Sequence, residues 1–223
     1  MEKFTPFLDI LPWPQKRLWT ELAWIPKDFV LYGGTAIALY LNHRQSNDFD
    51  FFSSQAFDPF DLKLKLDYLG EYEVYQFHKN SLTISVDKDS PVKISFFGNI
   101  TVGRLEPPLI TSDQKMLVAS KLDLLAHKLK VILQRVEAKD YIDIAALIEK
   151  GGISLETGLA GVQTLWPNAP VPEITRALSY FKEGDFQSLS AEDRRLLINK
   201  TINICYKKLK KLEIENQDLS FRD

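Results

Sequence analysis

Between Phe29 and Ser53 the chain changes its local grammar three times, and this constrains its fold more than any other stretch. Phe29-Val30-Leu31-Tyr32 is a run of β-forming residues that goes straight into Gly33-Gly34, after which Thr35 to Asn42 has helical character. Asn47 to Ser53 then alternates polar and aromatic residues. A strand, a glycine turn, a helix start and a second strand make an α/β unit with the glycines at the strand–helix junction. The two-residue period of the second strand puts Asp48 and Asp50 on one face and Phe49 and Phe51 on the other.

Each part has a chemical and a purely structural reading. Glycines at such a junction let the backbone approach a phosphate, and the first N–H groups of the helix offer hydrogen bonds and partial positive charge. Thr35 adds a hydroxyl. The same junction also serves simply to pack a helix on a sheet. Two carboxylates on one strand face raise each other's pKa unless a cation sits between them. A hard divalent ion, Mg²⁺ (or Mn²⁺), takes oxygen ligands together with substrate phosphates. The alternative is a solvated sheet edge with ion pairs to Arg44 or a lysine.

Downstream, Phe57 to Leu69 reads as an amphipathic helix, and Glu73 to Phe77, Ser81 to Val86 and Val92 to Phe97 read as strands, the last two joined by a hairpin at Asp87 to Pro91. Upstream, Pro14 to Ile25 reads as a helix. After Pro107-Pro108 the pattern turns helical: Lys121 to Val136, Asp140 to Glu149, Ser154 to Trp166, Glu173 to Phe181 and Ala191 to Leu212. The expectation is an α+β protein: residues 1–110 form a mixed sheet with helices, residues 111–223 form a helical domain, and the boundary lies near Glu106 to Asp113.

In the Lys121 to Val136 helix, Lys121, Lys128 and Arg135 recur every seven residues along the margin of the apolar face. A triphosphate held between the two halves is a target for such a stripe, with lysine as a point charge and arginine as a fork. Asp140 and Asp143 share a helix face; they either belong to the site, or Asp140 caps its helix and either aspartate pins that helix to its neighbour through Lys128 or Arg135. His43 and Arg44 precede the acidic strand, where they touch phosphate or cap the helix before it, and the Ser46 hydroxyl, two residues before Asp48, reaches a phosphate or acts as an acceptor. His78 and His127 read as surface or boundary residues. The Tyr206 to Lys211 basic cluster is either a polyanion-steering patch or a solvated helix face.

Composition excludes several classes. At 45% hydrophobic and 26% charged residues, the 223-residue chain is neither disordered nor fibrous. Its net charge of -2 gives no overall field for nucleic acid, so any such contact needs a local patch. Cys205, the one cysteine, excludes an internal disulfide or a thiolate zinc cage and fits a reducing compartment. With no leader-like start and no long apolar run, a cytoplasmic protein without membrane contact is expected.

As an ordered set, the run from Leu31 to Phe52 resembles the signature of the DNA polymerase β-type nucleotidyltransferase superfamily. The string His43-Arg44-x-Ser46-x-Asp48-Phe49-Asp50-Phe51-Phe52 is similar to that of the AbiEii/AbiGii toxin family, and the likeness extends over about residues 20 to 150. The resemblance implies a polymerase β-like fold and metal-dependent transfer of a nucleotide from an NTP to an acceptor hydroxyl, with release of pyrophosphate. It further implies a toxin of a type IV-like toxin–antitoxin or abortive-infection system, a cognate antitoxin, and the 3′ end of tRNA as acceptor. On it, Asp48 and Asp50 are the metal ligands and, with Lys128 and Asp143, the catalytic set. Gly33, Gly34, Thr35, Arg44, Ser46, Lys121 and Asp140 bind the nucleotide. One departure stands out: many members of the superfamily carry a third carboxylate on a later strand, where this chain has Ser95. Asp143 supplies the missing group, or one metal binds firmly, or the chemistry is lost; Asp87 and Asp89 read as turn formers. The alternatives are an inactive module that binds a nucleotide or a partner, and a transferase acting on a small molecule or protein.

Overall fold

The computed structural model describes residues 2–66, 69–182, 184–202 and 204–219. The chain runs β1 (Lys3–Phe4), α1 (Trp13–Trp19), β2 (Val30–Tyr32), α2 (Gly33–Leu41), β3 (Asp48–Phe52), α3 (Pro59–Leu66), β4 (Tyr72–His78), β5 (Ser81–Asp87), β6 (Pro91–Phe97), β7 (Leu109–Thr111) and β8 (Leu117–Val118). The helices α4 (Lys121–Val131), α5 (Ala138–Glu149), α6 (Leu155–Leu165), α7 (Val171–Ala177) and α8 (Ala191–Ile202) follow. The strands form one mixed sheet of eight, in the order β1-β7-β8-β2-β3-β6-β5-β4. The fold is therefore mixed α/β with helices at its C-terminal end.

β3 lies near the middle of the sheet, antiparallel to β2 and parallel to β6. Its period of two divides its side chains as the alternation requires. Phe49 and Phe51 are fully buried and stack on each other, and Phe51 stacks in turn on Phe96 of β6. Trp19 at the end of α1 and Trp24 just beyond it close over these rings. The opposite face of β3 carries Asp48, Asp50 and Phe52, and α2, which packs on β3, joins α4 and α5 in the helical layer.

Three expectations are corrected. The first helix stops at Trp19 and is followed by a separate single turn at Leu22–Trp24. α4 ends at Val131, so Arg135 lies in the loop before α5. The last helix ends at Ile202, well short of Leu212, because the chain turns back: Leu212 N–H donates to Thr164 Oγ1, and Asn216 forms a bridge with Arg104. Of the helix expected to reach Leu69, Asp67 and Tyr68 lie outside the described residues. β1, β7 and β8 are too short to show a period in the sequence. Among the described residues no helix is long and apolar enough to cross a membrane.

Candidate functional site

The parallel register of β3 and β6 sets three pairs side by side: Asp48 with Lys93, Asp50 with Ser95, and Phe52 with Phe97. One face of the sheet is thus graded along the strands from charged to aromatic. Asp48 is half exposed, with Lys93 Nζ 3.7 Å from Oδ2. Asp50 is deeper; burial, and next the neighbouring Asp48 charge, push its carboxyl above the usual range, against the pull of Lys93, a hydrogen bond from Ser95 and Lys128. An acid held this way favours a cation in front of it.

The glycine turn is built around these groups. Gly33 has φ +77°, a left-handed conformation, and a Cβ there would lie 3.0 Å from Asp50 Oδ2. A Cβ on Gly34 would lie 2.5 Å from Arg44 Nη2 and 2.9 Å from Ser46 Oγ. No side chain caps the start of α2, so its first N–H groups are left to other partners. The Thr35 hydroxyl is engaged in donating to the Asp48 carbonyl, which ties α2 to β3. Gly33→Ala is expected to cost about 1–2 kcal/mol through the left-handed backbone alone and to displace Asp50. Gly34→Ala would press on the Arg44 guanidinium, which Asp143 holds in place, and on the Ser46 hydroxyl, so it should lower both activity and melting temperature. Thermal and urea denaturation beside an activity assay measure these effects.

Behind the turn lies a buried charge network. Lys128 of α4 is 7% exposed, and its Nζ sits 2.6 Å from Asp140 Oδ1 and 2.7 Å from Asp143 Oδ2. Both acids face α4 because they are three residues apart on α5. Asp143 also receives Arg44 Nε on Oδ1 and Nη2 on Oδ2, each at 2.7 Å, and His43 Nε2 lies 2.7 Å from Oδ1. Burial pushes the Asp143 carboxyl upward, but His43, Lys128 and Arg44 together outweigh it and hold the group far below the usual range. Asp140 is likewise held low: Arg135 and Lys128 overcome its burial. Both Asp143 oxygens are occupied by cationic side chains, so the carboxylate is turned away from any role beside Asp50.

Gly33, Asp50, Phe52 and Phe97 form one wall of a cavity of about 280 Å³. Leu124, His127, Lys128 and Val131, spaced on one face of α4, form the other, with Gln134 and Arg135 beyond them. A larger cavity, about 480 Å³, lies beside Phe57, Phe60 and Phe77 and contains none of these groups. Lys121 stands apart as well. It is two helical turns, about 10 Å, from Lys128, and its Nζ donates to the Gly151 carbonyl. Among the described residues no cluster of three or more His, Cys, Asp or Glu is placed to hold an ion unaided.

His127, expected at the surface or a boundary, instead lies in the cavity wall between the rings of Tyr32 and Trp166, each 4.9 Å away. Burial lowers its pKa to about 4 from 6.5. The folded state therefore holds a neutral imidazole, and its contribution to stability is complete above pH 6.5 and lost as pH falls toward 4. Asp123, raised by burial to about 6, acts in the opposite sense over part of that interval. In His127→Phe the decline belonging to the imidazole should vanish, narrowing the difference in urea midpoint between pH 7.5 and pH 5 relative to the wild type.

Comparison with known proteins shows the family and the fold. Residues 24–202 match the family described as "Nucleotidyl transferase AbiEii toxin, Type IV TA system". An uncharacterised Aquifex aeolicus (strain VF5) protein is 32% identical over 162 residues, which are 72% of this chain and 77% of that protein. A solved structure from H. pylori, described as a candidate nucleotidyltransferase, shares the fold with a TM-score of 0.55 and 16% identity, covering 84% of this chain and 90% of its own.

Proposed function

The chain belongs to the AbiEii nucleotidyl transferase toxin family of type IV toxin–antitoxin systems, and from that premise we propose that it transfers a nucleotide from an NTP to a hydroxyl at the 3′ end of tRNA. The family implies an NTP substrate and an antitoxin partner; the acceptor, the site residues and the cytoplasm as compartment belong to the proposal. The observation that carries it is the meeting of Gly33, Asp50 and Lys128 on one cavity.

In this reading residues 1–110 supply the acids and the phosphate turn, and residues 111–223 supply the cations. The triphosphate lies on the Gly33–Gly34 turn, where the uncapped N–H groups of α2 receive it. Lys128 and Arg135 offset charge as pyrophosphate forms. Asp140 and Asp143 position Lys128, while Asp143 also holds Arg44 beside Ser46 at the first turn of α2.

The donors fit a hard divalent ion: Asp48 and Asp50 offer only oxygen, Asp50 is raised partly by its neighbour's charge, and Mg²⁺ needs few protein carboxylates when phosphates complete its shell. When bound, such an ion polarises the reacting phosphoryl group and neutralises its oxygens. The acceptor oxygen bonds to the α-phosphorus as the bond to the bridging oxygen breaks, the hydroxyl proton passing to solvent and pyrophosphate leaving.

One observation favours a second reading. Ser95 stands beside Asp50 and Lys93 beside Asp48, with no further acid in either row of β3 and β6. This supports an inactive module that retains nucleotide binding. Incubation with each α-³²P-labelled NTP, Mg²⁺ and separate tRNA, protein and aminoglycoside fractions distinguishes the readings. Label on tRNA supports the proposal, label on protein or aminoglycoside moves the acceptor, and saturable NTP binding without product supports the module.

A further inference from the structure

Phe49, Phe51 and Phe96 are buried completely, whereas Phe52 and Phe97, on the same two strands, are only partly covered. Their rings pair at 5.2 Å and both line the cavity that contains Gly33, Asp50 and Lys128. The strand period sets Phe52 on the same face as Asp50, about 7 Å along the chain. Across from them the cavity wall includes Val131 and Leu124, and Gln134 stands at its margin, exposed, with no side-chain partner among the described residues. One cavity therefore joins an ionic region, suited to phosphate, to an aromatic region edged by an amide that both donates and accepts.

We propose that the Phe52–Phe97 end of this cavity receives the base of the bound nucleotide and that Gln134 selects among bases. The inference rests on the nucleotide reading above and adds to it the part of the site that decides which NTP is used. An aromatic surface binds any base, because every base has a π-face. Discrimination must then come from a group that reads the base edge. An amide does this with a donor and an acceptor side by side. The neighbouring cations, Lys128 and Arg135, are engaged by Asp140 and suit phosphate better than a base edge.

The test is equilibrium binding of the four NTPs and of inorganic tripolyphosphate, each with Mg²⁺, to the wild type, Phe97→Leu and Gln134→Ala. The wild type should bind its preferred NTP at least tenfold more tightly than tripolyphosphate. Phe97→Leu should lose roughly tenfold of NTP affinity, the scale of a lost base stack, with tripolyphosphate binding unchanged. Gln134→Ala should bind the four NTPs nearly alike. Gln134 is exposed and its loss leaves the core intact, so this arm does not depend on how Phe97→Leu folds. Equal weakening of NTP and tripolyphosphate by Phe97→Leu, or a base preference unchanged in Gln134→Ala, would overturn the proposal and leave the nucleotide reading standing. Binding of neither NTP nor tripolyphosphate by the folded wild type would overturn both.

Discussion

Asp50→Asn should reduce nucleotide transfer by about a thousandfold or more, the scale of losing a group that stabilises the reacting phosphate, and yet raise the melting temperature in metal-free buffer. The two effects share one cause. Burial, and then the Asp48 charge, raise the Asp50 pKa in the folded state. For an acid, a raised folded pKa means a contribution to stability that is present at low pH and lost as pH rises through that value. At neutral pH the ionised carboxylate is therefore a cost, and asparagine removes it. Mg²⁺ should raise the melting temperature of the wild type and leave that of Asp50→Asn nearly unchanged. Asp48→Asn should lose comparable activity with a smaller thermal shift, since Asp48 is half exposed. A fall in the melting temperature of Asp50→Asn would mean that Asp50 anchors the fold instead of serving the substrate.

Asp143→Asn should have the largest effect on stability. The carboxylate is fully buried and carries Arg44, Lys128 and His43. Breaking a buried ion pair from one side costs about 3–5 kcal/mol because the partner charges remain. In a domain of this size that corresponds to a fall in melting temperature of roughly 10 °C. Activity should fall too, as Lys128 and Arg44 lose their fixed positions. The pH dependence gives a second signature. Asp143 and Asp140 are held below the usual carboxylate range, so their contribution is present above that range and lost as pH falls through the folded values. Asp143→Asn should be flatter in acid than the wild type. The double variant Lys128→Met/Asp143→Leu, which removes both charges, should regain part of the stability and none of the activity. Recovery of activity would show that the network is not needed to position the site.

The acidic strand and its glycine turn were legible in the sequence because both rest on short-range rules: a period of two and the conformational range of glycine. The same period, read one step further, aligns Phe52 with the aspartates. Helix periodicity could say that Asp140 and Asp143 share a face, but not that Asp143 meets His43 and Arg44 some hundred residues earlier. Such pairs are fixed by how α5 packs on α2. The seven-residue stripe ran together residues that the fold separates. Lys121 lies too far along α4, and Arg135, although outside the helix, reaches Asp140 from the loop. His127 had a readable signal, since Leu124, His127, Lys128 and Val131 follow the one-face helical spacing; what lay opposite that face did not. β7 and β8 take their stability from register with neighbours, which no local pattern encodes.

The central claim is transfer of a nucleotide at Asp48 and Asp50, and its most direct test follows the fate of two labels in parallel reactions. NTP labelled with ³²P at the α or the γ position is incubated with the protein, Mg²⁺ and tRNA, beside Asp48→Asn. Transfer of the α label to tRNA, release of the γ label as pyrophosphate, and loss of both in Asp48→Asn are the predicted results. Appearance of the γ label on tRNA, or unchanged α transfer in Asp48→Asn, would contradict the account.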